Sequence, residues 1–159
     1  MKLKGVGGLV LAILACQAAG ILGSIFTVKS ITNWYYYLQK PVFTPPSWLF
    51  GPAWITLYAL MGIAVYLVYR QGWEKPSVRS AVYLFGVQLV LNALWTPLFF
   101  GLHLLLVAFI EITLLWILIF LTLQRFWKIS RAAGLLMVPY LLWVTFASAL
   151  NLSFWLLNR

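Results

Sequence analysis

The sequence predicts an all-α integral membrane protein, a bundle of five transmembrane helices forming one domain over 1–159. Composition gives the first two reasons. Of 159 residues, 64% are hydrophobic and 8% charged, against about 45–50% and about 25% in a soluble globular domain. Mean hydropathy is +0.98. The third reason is pattern. A helix needs about 20 apolar residues to cross a bilayer, and runs of that kind lie at 6–28, 48–69, 80–100, 104–124 and 133–157. The later links are short, which predicts antiparallel neighbours. Only the connection 29–47 is long, and a long loop inside a compact domain is usually functional.

The first run opens with a decoy. Met1-Lys2-Leu3-Lys4 ahead of an apolar stretch has the flanks of a secretory signal, and Ile13-Leu14-Ala15-Cys16 has the look of a lipoprotein cleavage box. The apolar stretch does not stop at Cys16, however. It continues through Ile21, Ile25 and Phe26 to Val28, so it reads as a first span. Small residues recur along it at spacing four: Gly8, Ala12, Cys16, Gly20 and Ser24, with Ala15, Ala19 and Gly23 alongside. Such residues let helix backbones approach closely in lipid. Packing inside the chain and a seam between two copies are both open.

The connection and the start of the second run, Asn33 to Tyr58, hold three of the nine Trp, the triplet Tyr35-Tyr36-Tyr37 and four of the seven Pro. Proline fixes φ, lacks an N–H and pushes the residue before it out of the α region. Lys40-Pro41 and Thr44-Pro45-Pro46 therefore predict a stiff extended segment, with a helix starting near Pro46–Ser47 that carries Trp54 and Tyr58 on one side. The loop 29–47 is expected to roof a pocket between the helices.

The link 70–79 is polar and holds Gly72, Glu74 and Pro76. The third run places Gln88, Asn92, Trp95 and Phe99 on one face, and amides inside a span need a partner or a cavity. An interhelical hydrogen bond and a pocket wall are both compatible with that face. Pro97 near its end deprives the Ala93 carbonyl of its helical donor. The fourth run carries Glu111, the one acid inside a span, which reads either as a proton or polar site or as a hydrogen-bonded structural carboxyl. Arg125 to Arg131 forms a basic, aromatic link of the kind that anchors at interfaces. The fifth run brings Pro139-Tyr140, then Trp143, Ala147, Asn151 and Phe154 at near-helical spacing, with Leu150 beside them.

Net charge is +9. The cations flank apolar runs, as topology signals do, and there is no soluble face to bind nucleic acid. Eight Lys and Arg fall on the side of the N-terminus, counting Lys2 and Lys4, and three (Lys29, Lys40, Arg159) fall on the other. The positive-inside rule then places the N-terminus in the cytoplasm and the loop 29–47 outside, in a bacterial plasma membrane, or in the outer mitochondrial membrane for a eukaryotic host.

Catalysis by acid, base or nucleophile needs several groups within reach. The single His103 and the intramembrane Glu111 make no triad, and no phosphate loop or metal-ligand spacing is present. No cofactor is expected. One cysteine, Cys16, excludes an internal disulfide. Indole is what abounds. Trp73, Trp127 and Trp155 suit an interfacial belt. Trp34, Trp48, Trp54, Trp95 and Trp143 are expected at one region, and Trp54 and Trp143 in particular suit a pocket of apolar walls and few polar groups.

Four blocks together carry a resemblance. They are Trp34-Tyr35…Leu38…Lys40-Pro41…Pro45-Pro46; Trp54…Leu57-Tyr58…Met61-Gly62; Gln88…Leu91-Asn92…Trp95…Phe99-Phe100-Gly101; and Pro139-Tyr140…Trp143…Phe146-Ala147…Leu150-Asn151. In this order they resemble the translocator protein (TSPO) family, also called tryptophan-rich sensory protein or peripheral-type benzodiazepine receptor. The resemblance implies a five-helix TSPO-like bundle, commonly a homodimer, with a pocket under the first loop that binds porphyrins, sterols and isoquinoline or benzodiazepine drugs. It implies a lining of Ser24, Thr27, Phe50, Trp54, Asn92, Trp95, Val107, Trp143, Ala147 and Leu150, with Trp34 contributed by the loop. Trp54 and Trp143 would flank the ligand, and Asn92 or an indole N–H would fix its polar group. Glu111 falls where the family usually has an acid. The chain departs from the pattern at Phe43, where the loop usually has Trp, at Val107, where some members have Trp, and at Phe154, where a sterol-recognition pattern would need Tyr.

The expected function is binding of a porphyrin or other flat hydrophobic molecule within the bilayer, in its transport or sensing. One alternative is an enzyme that degrades bound porphyrin with light and oxygen. A second is a small proton-coupled exporter that uses Glu111.

Overall fold

The computed structural model describes residues 5–159. Lys2 and Lys4, counted toward the orientation, lie outside the described residues. The elements are α1 (Val6–Ile31), α2 (Trp34–Tyr37), a 3-10 turn (Ser47–Leu49), α3 (Phe50–Tyr69), α4 (Pro76–Thr96), a π turn (Pro97–Gly101), α5 (Leu105–Ile129) and α6 (Arg131–Leu157). Among the described residues, five helices are long and apolar enough to cross a membrane.

Local chemistry explains most boundaries. Pro41, Pro45 and Pro46 keep the chain ahead of Ser47 non-helical, and the 3-10 turn then feeds α3. Ser130 alone separates α5 from α6. Its backbone is extended, and its hydroxyl accepts from the Ala133 N–H as the N-cap of α6.

Three boundaries differ from expectation. The link after α3 is shorter than 70–79, because Pro76 opens α4 at the first helical position, where a missing N–H costs nothing. The basic stretch from Arg125 is not a link: α5 runs on to Ile129, and Lys128 sits in its last turn, where a cation suits the helix dipole. The connection 29–47 is more ordered than a loop, since α1 extends to Ile31 and Trp34–Tyr37 forms α2.

The helices pack α1 on α3, α3 on α6, α6 on α5 and α5 on α4, with α1 also touching α4. The small-residue stripe of α1 is used within the chain. A Cβ on Gly62 of α3 would come within 2.5 Å of Ile13 Cα, so backbone meets backbone there. Gly20 receives the Tyr58 ring and Gly23 receives Thr96. Higher up, α1 leans on the end of α4: Phe26 covers Gly101, and the Ser30 hydroxyl donates to the Phe100 carbonyl.

The connection lies over a second apolar cluster of Phe99, Leu105, Ala108, Leu150 and Phe154. Trp34 stacks on His103 at 4.1 Å and meets Phe99 edge-on at 5.8 Å. His103 takes the left-handed φ of 58° in the turn into α5. Tyr35 wedges between Phe100 and Phe154 at 5.5 and 5.4 Å, with the Lys40 ammonium 4.8 Å from its centroid. That burial pushes the Tyr35 phenol above its ordinary pKa. The Gln39 N–H donates to Asn158 Oδ1 at 2.9 Å, and Asn158 Nδ2 donates back to the Gln39 carbonyl at 3.0 Å.

Candidate functional site

A cavity of about 370 Å³ lies among α1, α3, α4, α5 and α6. One wall is aromatic. Trp54 and Tyr58, one turn apart on α3, stack at 5.4 Å and 28°. Trp95 from α4 adds a second indole, and Ile112, Leu115, Val144 and Ala147 close the far side. The cavity is largely apolar with a few polar groups, which is the general anatomy of a small-molecule site.

The polar groups belong to a hydrogen-bonded chain. Tyr58 O–H donates to Asn92 Oδ1. Asn92 Nδ2 donates to Tyr140 Oη at 2.9 Å, and Tyr140 O–H donates to Gln88 Oε1 at 3.0 Å. Separately, Trp95 Nε1–H donates to Asn151 Oδ1 at 3.0 Å, and Asn151 Nδ2 donates to the Leu105 carbonyl at 2.9 Å. Both sequence readings of the α4 face therefore hold: Gln88 and Asn92 bond across helices, and Asn92 also reaches the cavity. An amide has two lone pairs and two protons, so Asn92 keeps capacity for a further partner. The Trp95 N–H is already taken and cannot serve as the ligand-fixing indole.

Seven of the expected lining residues come together at this cavity: Ser24, Thr27, Phe50, Trp54, Asn92, Trp95 and Ala147. Four do not. Trp143 is not among the lining residues; it meets two that are, Trp54 edge-on at 6.4 Å and 83° and Phe50 at 5.9 Å and 75°. Leu150 is buried in the upper apolar cluster. Val107 points off α5, 44% exposed, beside a smaller cleft at His103 and Arg159. Trp34 is held on His103. Trp48, also expected in this region, is 72% exposed. No residue of 29–49 lines the cavity, so the connection covers the upper cluster and does not roof the cavity itself.

Glu111 stands next to Ile112 but does not line the cavity. It is buried on α5, and both its carboxyl oxygens lack a hydrogen-bond partner among the described residues. No group of three or more His, Cys, Asp or Glu that could hold a metal occurs among the described residues.

Sequence reasoning missed Gln17, Gly20, Gly51 and Ile55, which also line the cavity. Gln17 carried a signal, being an amide in an apolar helix. Its Nε2 donates to the Ile55 carbonyl at 2.9 Å, tying α1 to α3. The other three are small or aliphatic and owe their place to helix packing.

Residues 12–156 match the model of the TspO/MBR family. The chain belongs to that family. Among TspO/MBR proteins it is 46% identical over 150 residues to the tryptophan-rich protein TspO of Chlorobaculum tepidum, covering 94% of this chain and 95% of that one. It is 47% identical over 151 residues to the protein of the same name from Archaeoglobus fulgidus, covering 94% and 96%. The translocator protein of Homo sapiens is 35% identical over 144 residues, covering 89% and 85%. Family membership accords with five apolar helices long enough to span a bilayer, and makes this an integral membrane protein.

Proposed function

We propose that the protein binds a flat, hydrophobic ring system of the porphyrin class within the membrane, and that it acts in the transport or sensing of that molecule. The observation that carries the reading is the Trp54–Tyr58 stack on one wall of a 370 Å³ cavity, with Asn92 as the polar group beside it. Aromatic faces suit a planar apolar ligand, and one amide with spare capacity gives it an orientation. Relatives named translocator protein and tryptophan-rich sensory protein agree with both roles. Sterols and drug-like molecules are further candidates of the same shape.

The excess of cations at the end opposite α2 supports an orientation with the connection facing away from the cytoplasm. The protein is proposed to pair with a second copy. Gly8, Cys16 and Gly23 are buried within the chain, so the α1 stripe does not by itself supply that seam.

The test is a titration of protoporphyrin IX into protein in nanodiscs, read by Trp quenching. Saturable binding is expected, weakened in Trp54→Ala. Equal affinity in the variant would remove the cavity as the site.

The contact of Trp54 with Trp143 favours a second reading, in which light excites a bound porphyrin, dioxygen is the oxidant and the paired indoles are within electron-transfer reach. A new porphyrin product that needs light, oxygen and the protein together would support it. Product formed at the rate of free porphyrin would remove it. The exporter reading is weaker, because Glu111 does not line the cavity.

A further inference from the structure

The helices around the cavity do not enclose it equally. The lining residues of α4, α5 and α6 are buried or half-buried, whereas every exposed one belongs to α1 or α3. Ile21, Val28 and Ile55 are 64, 72 and 62% exposed. The opening is therefore a seam between α1 and α3, and it faces the lipid side of the bundle.

Packing explains why the seam exists. The two helices touch backbone to backbone at Gly62 and Ile13, and Tyr58 lies on Gly20 one step higher. Above that level α1 turns its contacts to the end of α4, through Gly23, Phe26 and Ser30. Leaning on α4, it leaves the first turns of α3 uncovered. Gly51 marks the gap: it lines the cavity, and a Cβ built on it meets nothing within 4 Å. The lower edge is closed by the Gln17 amide on the Ile55 carbonyl. On the side of the connection the cavity is lined by Phe100, which Tyr35 and Phe99 pack against at 5.5 and 4.8 Å.

We propose that the seam between α1 and α3, beside Gly51 and Ile55 and above the Gln17 tie, is the doorway through which the cavity exchanges its ligand with the bilayer, and that the ligand arrives dissolved in lipid. This rests on the reading of the cavity as a binding site. The chemistry of the rim selects the passenger: Ile21, Val28 and Ile55 are apolar, and the one exposed hydroxyl among the lining residues there, Ser24, donates to the Ile21 carbonyl at 2.8 Å, so a molecule passing sideways meets no charge and mostly apolar groups. An ionised group would have to trail toward the membrane surface, because carrying it through the seam is costly.

The experiment measures association and dissociation of protoporphyrin IX in nanodiscs by stopped-flow Trp quenching, in wild type, Gly51→Leu, Ile55→Trp and Asn158→Ala. Gly51→Leu fills the doorway without meeting a neighbour, and Ile55→Trp narrows it from an already exposed position should the first variant fold poorly. Each is expected to slow association and dissociation alike, by about tenfold; because both positions also line the cavity, any effect on the site itself shows as a difference between the two factors, and faster dissociation with unchanged association would mark a damaged site and not an obstructed path. Asn158→Ala releases Gln39 and loosens the connection, and is expected to leave both rates unchanged. Faster exchange in Asn158→Ala with wild-type rates in both doorway variants would place the path under the connection and overturn the proposal. A wild type without saturable binding, or a Trp54→Ala variant that binds like wild type, would instead remove the cavity reading on which the doorway depends.

Discussion

Asn158 and Gln39 form a closed pair: the side-chain amide of one exchanges two hydrogen bonds, of 2.9 and 3.0 Å, with the backbone of the other. The amide takes the place of a second strand, satisfying the N–H and C=O of a residue just before the proline segment. It joins the end of α6 to a stretch 119 positions earlier in the chain.

Removing that pair loosens the connection. Asn158→Ala is expected to raise amide exchange over 38–46 by about tenfold, the effect of losing hydrogen bonds worth about 0.5–1.5 kcal/mol each. Asn158→Asp keeps the acceptor and loses the donor, so it falls between. Hydrogen exchange read by mass spectrometry checks this, and protection unchanged in Asn158→Ala would refute it.

Gly62 tests the contact of α1 with α3. A side chain there meets the Ile13 backbone, which cannot rotate away as a side-chain tip can. Gly62→Val is expected to destabilise the bundle by about 1–3 kcal/mol, the usual cost of overpacking. Gly86, whose added Cβ meets nothing within 4 Å, provides the control: Gly86→Ala should be neutral or slightly stabilising. Unfolding in mixed micelles separates the two.

Asn151 is the partner of an indole on the cavity wall. Asn151→Leu leaves the Trp95 N–H without its acceptor in a half-buried site. Stability should fall by about 1–3 kcal/mol, and Trp95 emission should shift as the ring seeks another partner. A stable variant with unchanged emission would show that the bond contributes little.

The two indoles at the wall are not equivalent. Trp54 lines the cavity, and Trp143 meets it edge-on without lining the cavity itself. Trp54→Ala is expected to weaken porphyrin binding by about 1–2 kcal/mol, roughly 5- to 30-fold, through lost stacking and apolar contact. Trp143→Ala should cost stability first and affinity less. Equal losses of affinity in both variants would mean that both rings touch the ligand.

Much of this was legible in the sequence. Spans were legible because bilayer thickness fixes their length, and Asn92 and Trp95 because an amide and an indole inside a span need a reason to be there. The stretch at Arg125 misled because charge reads as a loop, although a helix leaving the bilayer can carry cations on its last turn. Pro76 misled in the same way, since proline opens a helix as readily as it breaks one. Trp143 shares a helix face with Ala147, which does reach the cavity. Its absence from the lining depends on how α3 and α6 pack, with Trp143 held against Trp54 and Phe50, and periodicity along one helix cannot report that. Gly51 and Ile55 gave no local sign, for their role arises where two helices part.

Glu111 offers a test of a different kind. Both its oxygens are buried without a partner among the described residues, and burial of an unpaired carboxyl is costly. Glu111→Leu is expected to match or exceed wild-type stability, by up to about 1–3 kcal/mol. A large loss would reveal a bond that holds the carboxyl in place.

The arrangement of the tryptophans also governs what a spectrometer sees. Trp54 and Trp95 border the cavity, Trp143 touches Trp54, and Trp48 and Trp127 look out into the surroundings at 72 and 42% exposure. Emission from the whole protein is thus a blend of near and remote fluorophores, and an incomplete quench at saturation is its natural end-point. Replacing Trp48 and Trp127 with Phe would darken the background and leave the inner rings as the reporters.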